Sequence, residues 1–287
     1  MTIKRILKPT NVRIRLAVGL VLAVLFCIQC TRSDVLRASS LVTPVSGSVA
    51  ERMASPQVRQ LEALAGKDHV ALLKQALEHY RGSVQDYTCT FIKRERIDGR
   101  LRPEQWVEVK FAEKPFSVAM QWVKNSPIGD RLLYVQGKHN GQMLVNPKGF
   151  LFKLVGTVQR DPTAPEVMAN TLRPVTMFGF RRSLESLLSV YELAGSRGEA
   201  TNRFCGYKEV GGRLAMVLER KLPLRKDYPA RTTVWYLDVE HLVPLGLEGY
   251  GWNDELLCSY LYKDVQFNVG LGEEDFTPEA NGMKVQE

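Results

Sequence analysis

The sequence lacks the short motifs that most often carry hydrolytic, metal or nucleotide chemistry. It contains no H-E-x-x-H pair, no G-x-S-x-G elbow and no glycine-rich phosphate loop. The 287 residues include only four histidines, and these form no cysteine–histidine cluster with the spacing of a zinc site. Because these features are missing, we expect a protein without a catalytic centre, a cofactor or a bound metal ion.

One group that combines acids with a histidine is close in sequence: Asp238, Glu240 and His241. Successive residues of a strand point to opposite faces of a sheet, so these three side chains would need a bend to converge. We therefore expect no metal site there.

Acidic residues are also absent from the start of the chain, where the first is Asp34. Five basic residues lie within the first fifteen positions: Lys4, Arg5, Lys8, Arg13 and Arg15. Residues 16–28 then form an apolar run, which is the pattern of a secretory signal or a short membrane anchor. Since cations beside such a run stay in the cytoplasm, we expect an exported chain, either periplasmic or anchored in the inner membrane facing the periplasm.

Most of the net charge of +8 belongs to this leader. Without residues 1–30 the chain has 34 basic and 31 acidic residues, a net charge of +3. Such a small and mixed charge favours no polyanion, so we expect no nucleic-acid partner. The sequence does not decide whether the leader is cleaved, retained or lipidated.

Composition and periodicity divide the chain into four parts. They are a signal or membrane-anchor segment (1–30), a Ser-rich flexible linker (31–55), a single domain (56–280) and a short tail (281–287). Three cysteines lie beyond the leader: Cys89, Cys205 and Cys258. In an oxidising compartment two of them could form a disulfide, but three small, buried apolar side chains fit the sequence equally well.

The domain begins with a helical pattern. Asp68 can cap a helix in which apolar residues recur at spacings of three and four between Val70 and Val84, and a weaker helix precedes it over residues 57–64. After Tyr87 the period changes to two, and Asp98-Gly99 supplies a hairpin turn. A second helix carries its apolar face on Leu184, Leu187, Leu188 and Tyr191.

The remaining pattern is a series of strands joined by tight turns, with no βαβ alternation. It predicts an α+β fold that is mainly antiparallel β, with a curved, half-open barrel sheet and a few covering helices. Such a sheet can enclose an apolar cavity, with the helix Asp68–Val84 and the segment around Pro162–Pro174 as a lid.

Alternation assigns nine side chains to the wall of this cavity: Phe116, Val118, Met120, Trp122, Phe152, Leu154, Met216, Trp235 and Leu237. Arg94 and Arg96 are candidate cations at its rim, although a solvated edge hairpin accounts for them as well. A filled core and a hollow one produce the same alternation.

Several short stretches carry a family resemblance. They are Lys93-x-Glu95-Arg96-Ile97-x-Gly99-x-Leu101, Lys114-Pro115-Phe116-Ser117-Val118 and Leu133-Tyr134-Val135-x-Gly137 in the first half, and Tyr236-Leu237-Asp238, Leu242-Val243-Pro244, Tyr262-Lys263-Asp264-Val265 and Asp275-Phe276 in the second. The first half resembles a bacterial envelope family catalogued as domain of unknown function 1571, and the second resembles the LolA/LolB/LppX superfamily of lipoprotein carriers. The resemblance implies a LolA-like half-barrel with a cavity for a lipid.

Three functions follow as hypotheses. The leading one is non-catalytic binding or carriage of a lipid, or of the acyl chain of an acylated protein, in the cell envelope, with the membrane contacted through the N-terminal segment. The second is a structural or interaction module with a filled core. The third is an enzyme on the same scaffold, which would need a cluster of titratable groups at the cavity mouth.

Overall fold

The computed structural model describes residues 42–43, 53, 55–147 and 156–284. The expected leader, most of the expected linker and the predicted wall residues Phe152 and Leu154 lie outside the described residues. Within the described ranges, no helix combines the length and the apolar character needed to cross a membrane.

In the described residues the helices are α1 (Pro56–Ala65), α2 (His69–Ser83), α3 (Pro165–Met168) and α4 (Phe180–Ser196). The strands of the first half are β1 (Val42–Thr43), β2 (Asp86–Ile97), β3 (Arg100–Leu101), β4 (Gln105–Glu113), β5 (Phe116–Lys124), β6 (Gly129–Val135), β7 (Met143–Pro147) and β8 (Val158–Arg160). The strands of the second half are β9 (Thr201–Val210), β10 (Arg213–Lys221), β11 (Thr232–Asp238), β12 (Pro244–Tyr250) and β13 (Leu256–Phe267).

These strands form one open antiparallel sheet. Its order is β1-β9-β10-β11-β12-β13-β2-β4-β5-β6-β7-β8, and β3 pairs with the end of β2. Two meanders, β9 to β13 and β2 to β8, therefore meet where β13 pairs with β2, with Tyr262 opposite Phe91. The predicted α+β fold, mainly an antiparallel curved sheet with a few covering helices, is confirmed.

Local sequence signals explain the ends of these elements. The carboxylate of Asp68 accepts a hydrogen bond from the backbone N–H of Ala71 at 2.9 Å, which caps α2 as predicted. Asp98 and Gly99 have φ angles of 50° and 74° between β2 and β3. Positive φ at both central residues is the requirement of the type I′ hairpin turn, which an Asp-Gly pair meets at low cost.

Helices α2 and α4 pack on each other and on one face of the sheet, which we call the inner face. The buried side of α4 consists of Phe180, Leu184, Leu187, Tyr191 and Ala194, at the spacing of a single helix face. Phe180 lies 4.7 Å from the ring of Tyr87 on β2 and 4.5 Å from that of Tyr262 on β13, measured between ring centroids. The two helices are thus anchored at the junction of the two meanders.

The opposite face of the sheet, the outer face, is covered in part by the C-terminal segment. Phe276 and Met283 are buried there against Ala119, Leu133 and Leu144. This small second core closes the described domain on the side away from the helices.

Candidate ligand-binding cavity

A cavity of about 450 Å³ lies between the inner face of the sheet, the segment Val167–Phe178 and helix α4. Its size falls in the range of small-molecule sites, roughly 300–1,000 Å³. Apolar wall residues come from both meanders and from α4, and they include Val107, Met143, Val145, Leu187 and Leu247. An apolar chain placed there would be removed from water.

The cavity occupies only part of the inner face, because the helices fill the rest. Trp235 is fully buried, and its indole N–H donates to the hydroxyl of Tyr191 on α4 at 3.1 Å. Phe116 is buried under the guanidinium of Arg182, 4.1 Å from the ring centroid. Sequence alternation could not distinguish a filled core from a hollow one, and this sheet contains both, side by side.

The predicted wall residues divide between these two regions. Met120 and Trp122 line the cavity, and the indole N–H of Trp122 donates to the side-chain oxygen of Gln105 at 2.8 Å. Five others are buried in the filled region and are not among the residues that line the cavity: Phe116, Val118, Met216, Trp235 and Leu237. Their strand positions point inward as expected, but the helices and neighbouring aromatic rings cover them.

Of the two elements expected to form a lid, only one lines the cavity. Residues of the irregular segment Val167–Phe178 line the cavity, among them Leu172, Pro174 and Met177. Helix α2 contributes none of the described lining residues, because it packs beside α4 and α4 takes its place over the cavity. Whether the segment moves as a lid stays a prediction.

A buried polar cluster stands in the otherwise apolar wall. The ammonium of Lys93 lies 2.9 Å from a carboxylate oxygen of Glu95, and both side chains are nearly inaccessible to solvent. The hydroxyl of Tyr260 donates to the second oxygen of Glu95 at 2.7 Å. Lys93 also donates to the hydroxyl of Thr171 at 3.1 Å, which ties the segment over the cavity to the sheet.

The candidate rim cations lie on the other face of the same strand. The guanidinium of Arg96 donates to the carbonyl oxygens of Leu256 and Gly99 at 2.8 and 2.9 Å, and that of Arg94 donates to the carbonyl of Arg102 at 3.4 Å. Arg96 still borders the cavity, whereas Arg94 does not. Because strand residues alternate, the inward charges of β2 are Lys93 and Glu95, which share a face with Phe91.

Two reactive side chain types sit near this cluster, but burial keeps both neutral. Burial raises the pKa of the Cys258 thiol to about 11, and it raises the pKa of Tyr260 well above its ordinary value. A thiol is nucleophilic only as the thiolate. The cluster therefore contains a compensated ion pair and neutral donors, and not an activated nucleophile.

Asp238, Glu240 and His241 do converge, contrary to the expectation from strand alternation. Their potential ligand atoms lie within 4.8 Å of one another, because the chain turns after β11 and the three residues share that turn. Arg213 lies among them: its guanidinium is hydrogen-bonded to Asp238 and His241 and lies 3.0 Å from Glu240. The cation that the two carboxylates face is thus an arginine of the chain itself.

The three cysteines of the described residues are all in the thiol form. Cys89 is buried, Cys258 is partly buried and Cys205 is exposed. The structure therefore corresponds to the second of the two alternatives left open by the sequence, with the difference that Cys205 is on the surface.

The cavity opens to solvent beside exposed apolar side chains. Ile128, Leu172 and Met177 border it with 45%, 42% and 41% of their surface accessible. We call these three residues the apolar rim. They form an apolar path between the cavity and the surface of the protein.

Comparisons with known proteins come from sequence and from structure. The family model described as "Protein of unknown function (DUF1571)" matches residues 84–284, well over half of the chain, which confirms the predicted resemblance. A search of the curated proteins matched none of them to this sequence.

Three solved structures illustrate the likeness in fold. They are the MucA/MucB complex of Pseudomonas aeruginosa (14% identity, TM-score 0.44, 76% of this chain and 63% of that one), lipoprotein LppX of Mycobacterium tuberculosis (12%, 0.41, 71% and 96%) and a LolA superfamily protein of Nitrosomonas europaea (8%, 0.31, 72% and 98%). The chain thus spans less than two thirds of the MucB chain. With TM-scores of this size, these likenesses identify neither a ligand nor a partner.

Proposed function

The chain belongs to the family described as protein of unknown function (DUF1571), and we propose that it binds the acyl chain of a lipid or of an acylated protein, without catalysis. The observation that carries the proposal is the cavity of about 450 Å³ on the inner face, which is walled mainly by apolar side chains and opens at the apolar rim. Apolar area sheltered there is stabilised by about 25 cal/mol per Å².

The residues around the cavity support binding more than chemistry. The ion pair of Lys93 and Glu95 is satisfied within the protein, and the thiol of Cys258 is held neutral by burial. The leader of residues 1–30 supports an exported protein that faces the periplasm. A periplasmic reporter enzyme fused to the C-terminus should be active in cells, and an inactive fusion at normal expression would contradict export.

The binding proposal is tested by filling the cavity. Met120→Trp places a larger side chain in the cavity wall on β5, so uptake of a fluorescent fatty acid should fall at least about tenfold. Val123→Trp is the matched control, since Val123 lies on the same strand, is 53% exposed and is not among the lining residues. If both variants bind like the unchanged protein, or if the unchanged protein binds nothing, the proposal fails.

A second candidate function has its own observation in the apolar rim. Three exposed apolar side chains at one opening suit contact with a partner protein as well as entry of a lipid. An interaction module would lose a crosslinked envelope partner when Ile128 and Leu172 become Ser, yet would keep its partner in Met120→Trp. Lipid binding predicts the reverse: Met120→Trp, which fills the cavity, should reduce binding more than the Ser substitutions at Ile128 and Leu172.

A further inference from the structure

A buried arginine at one end of the cavity has no charged partner in the described part of the chain. Arg220 on β10 borders the cavity, and only 2% of its surface is accessible. One of its terminal nitrogens donates to the hydroxyl of Thr233 at 3.1 Å, and its guanidinium lies 4.6 Å from the ring centroid of Tyr191. Within the described residues, Nε and Nη1 have no hydrogen-bond partner, and no carboxylate forms an ion pair with the side chain.

Such an arrangement is costly unless something else supplies an acceptor. An isolated charge removed from water loses most of its solvation, and buried charges in proteins are paired or hydrogen-bonded for this reason. Arginine also remains protonated in nearly all protein environments, so it cannot escape the cost by losing its proton. The free donors of Arg220 are therefore suited to an anion that enters with the ligand.

The position of Arg220 relates this site to the rest of the cavity. It lies in one row across the sheet in which each residue is opposite the next on the neighbouring strand: Arg220, Thr233, Gly249, Cys258 and Glu95. All five border the cavity. Four interstrand steps of about 4.8 Å place Arg220 roughly 19 Å along the sheet from Glu95. At the centre of the row Gly249 has no side chain, and the sulfur of Cys258 lies 3.0 Å from the position that a Cβ would take there.

The charges around the cavity have the same sign preference. Five of its described lining residues are cations, but Arg96 lies on the other face of its strand and the guanidinium of Arg131 donates to the carbonyl oxygen of Asn281 in the C-terminal segment. Lys93, Arg173 and Arg220 remain, and Glu95 is the one acid among the described lining residues. Glu95 is already paired with Lys93. The remaining charge of the wall is therefore positive, which favours an anion over a neutral or cationic end group.

We propose that the cavity binds a long-chain amphiphile with a small anionic end group, a carboxylate or a phosphate monoester, and that Arg220 receives this anion. This inference rests on the proposed binding of an acyl chain. The end group is small because Arg220 is almost inaccessible, so a large polar head would also have to be buried. The chain then runs along the row and past Met120 and Trp122 on the far side of the cavity.

The test uses four probes with the same twelve-carbon chain: laurate, dodecyl phosphate, dodecanol and dodecyltrimethylammonium. Their affinities for the full-length protein are measured by titration calorimetry below their micelle concentrations. A hydrogen bond to a charged group predicts that at least one anionic probe binds about tenfold or more tightly than dodecanol. Tighter binding of laurate identifies a fatty acid, and tighter binding of dodecyl phosphate identifies a phosphate monoester.

Variants locate the anion. Arg220→Gln should remove the preference for anions while dodecanol binds as before. Arg203→Gln, the same change on the neighbouring strand β9 at a side chain that is 64% exposed, should keep the preference. If Arg173→Gln removes the preference for anions and Arg220→Gln does not, the anion lies at Arg173 and the proposal is wrong.

The unchanged protein provides a test that does not depend on any variant folding. Carbon-13 NMR of laurate labelled at the carboxyl carbon should show a bound carboxylate whose pKa is lower than in water. An ordinary pKa for the bound probe would overturn the assignment of Arg220. If no probe binds at all, the proposed function itself fails; if all four bind equally, only the anion site is refuted.

Discussion

The charges of Lys93 and Glu95, the buried ion pair in the cavity wall, should be strongly coupled in their effect on the stability of the protein. In Glu95→Gln the ammonium of Lys93, whose side chain is only 10% exposed, loses its carboxylate partner. The hydroxyl of Tyr260 keeps an acceptor, because the amide oxygen of glutamine can take its hydrogen bond. The change therefore isolates the cost of an uncompensated charge.

Breaking a buried pair by removing one partner costs about 3–5 kcal/mol, whereas exposed pairs contribute about 0–1 kcal/mol. We expect Glu95→Gln to lower the free energy of unfolding by about 3 kcal/mol, the lower bound, because the adjoining cavity allows partial hydration of Lys93. Lys93→Met should cost less, about 2 kcal/mol, since Glu95 retains the hydrogen bond from Tyr260. The double variant removes both charges and should lie within about 1 kcal/mol of the unchanged protein.

Urea unfolding of the four proteins, followed by circular dichroism and tryptophan fluorescence, yields the coupling between the two residues. We expect a coupling of at least about 2 kcal/mol. The matched control is the pair of Lys74 and Glu192, which has the same separation of 2.9 Å but is 59% and 47% exposed. Additive losses below about 0.5 kcal/mol at Lys93 and Glu95, equal to those of the control, would refute a desolvated pair.

Three further predictions concern the packing around the cavity. Gly179→Ala should lower the free energy of unfolding by about 2 kcal/mol in urea titration, because φ is 108° there and the new Cβ would lie 2.8 Å from the ring of Phe111; no change would contradict this strain. Burial lowers the pKa of His69 below its ordinary 6.5, so only the unfolded chain gains this proton as the pH falls below that value. The free energy of unfolding should then fall by up to about 1.4 kcal/mol per pH unit, and His69→Gln should reduce this slope. Equal slopes for the two proteins would contradict this prediction. Peptide-resolved mass spectrometry should find maleimide on Cys205 first and on Cys258 slowly, and a bound fatty acid should protect only Cys258, which borders the cavity; equal protection of both thiols would contradict the site.

Much of the fold follows from periodicity, because alternation and turn chemistry act over a few residues. The hairpin turn at Asp98-Gly99 and the cap at Asp68 were predictable for this reason. The division of the inner face into filled and hollow regions was not, because it depends on where α4 lies, and α4 is placed by long-range contacts such as that of Phe180 with Tyr262.

The charged residues of the site were present in the pattern but were not selected by it. Lys93 and Glu95 alternate with Arg94 and share the inward face of Phe91, and Arg220 follows Leu218 at the strand period. Charged residues at strand ends usually face water, so alternation alone favours a solvated interpretation. Only the neighbours that bury them, above all α4 and the segment Val167–Phe178, show that they border a cavity.

Native mass spectrometry can show whether the cavity on the inner face holds an acyl chain. The full-length protein, released gently from the membranes of its own cells, should carry a single adduct with the mass of a long-chain lipid. The adduct should be lost from Met120→Trp and retained by Val123→Trp. A protein that carries no adduct, and that takes up no laurate when it is supplied, would contradict acyl-chain binding in this cavity.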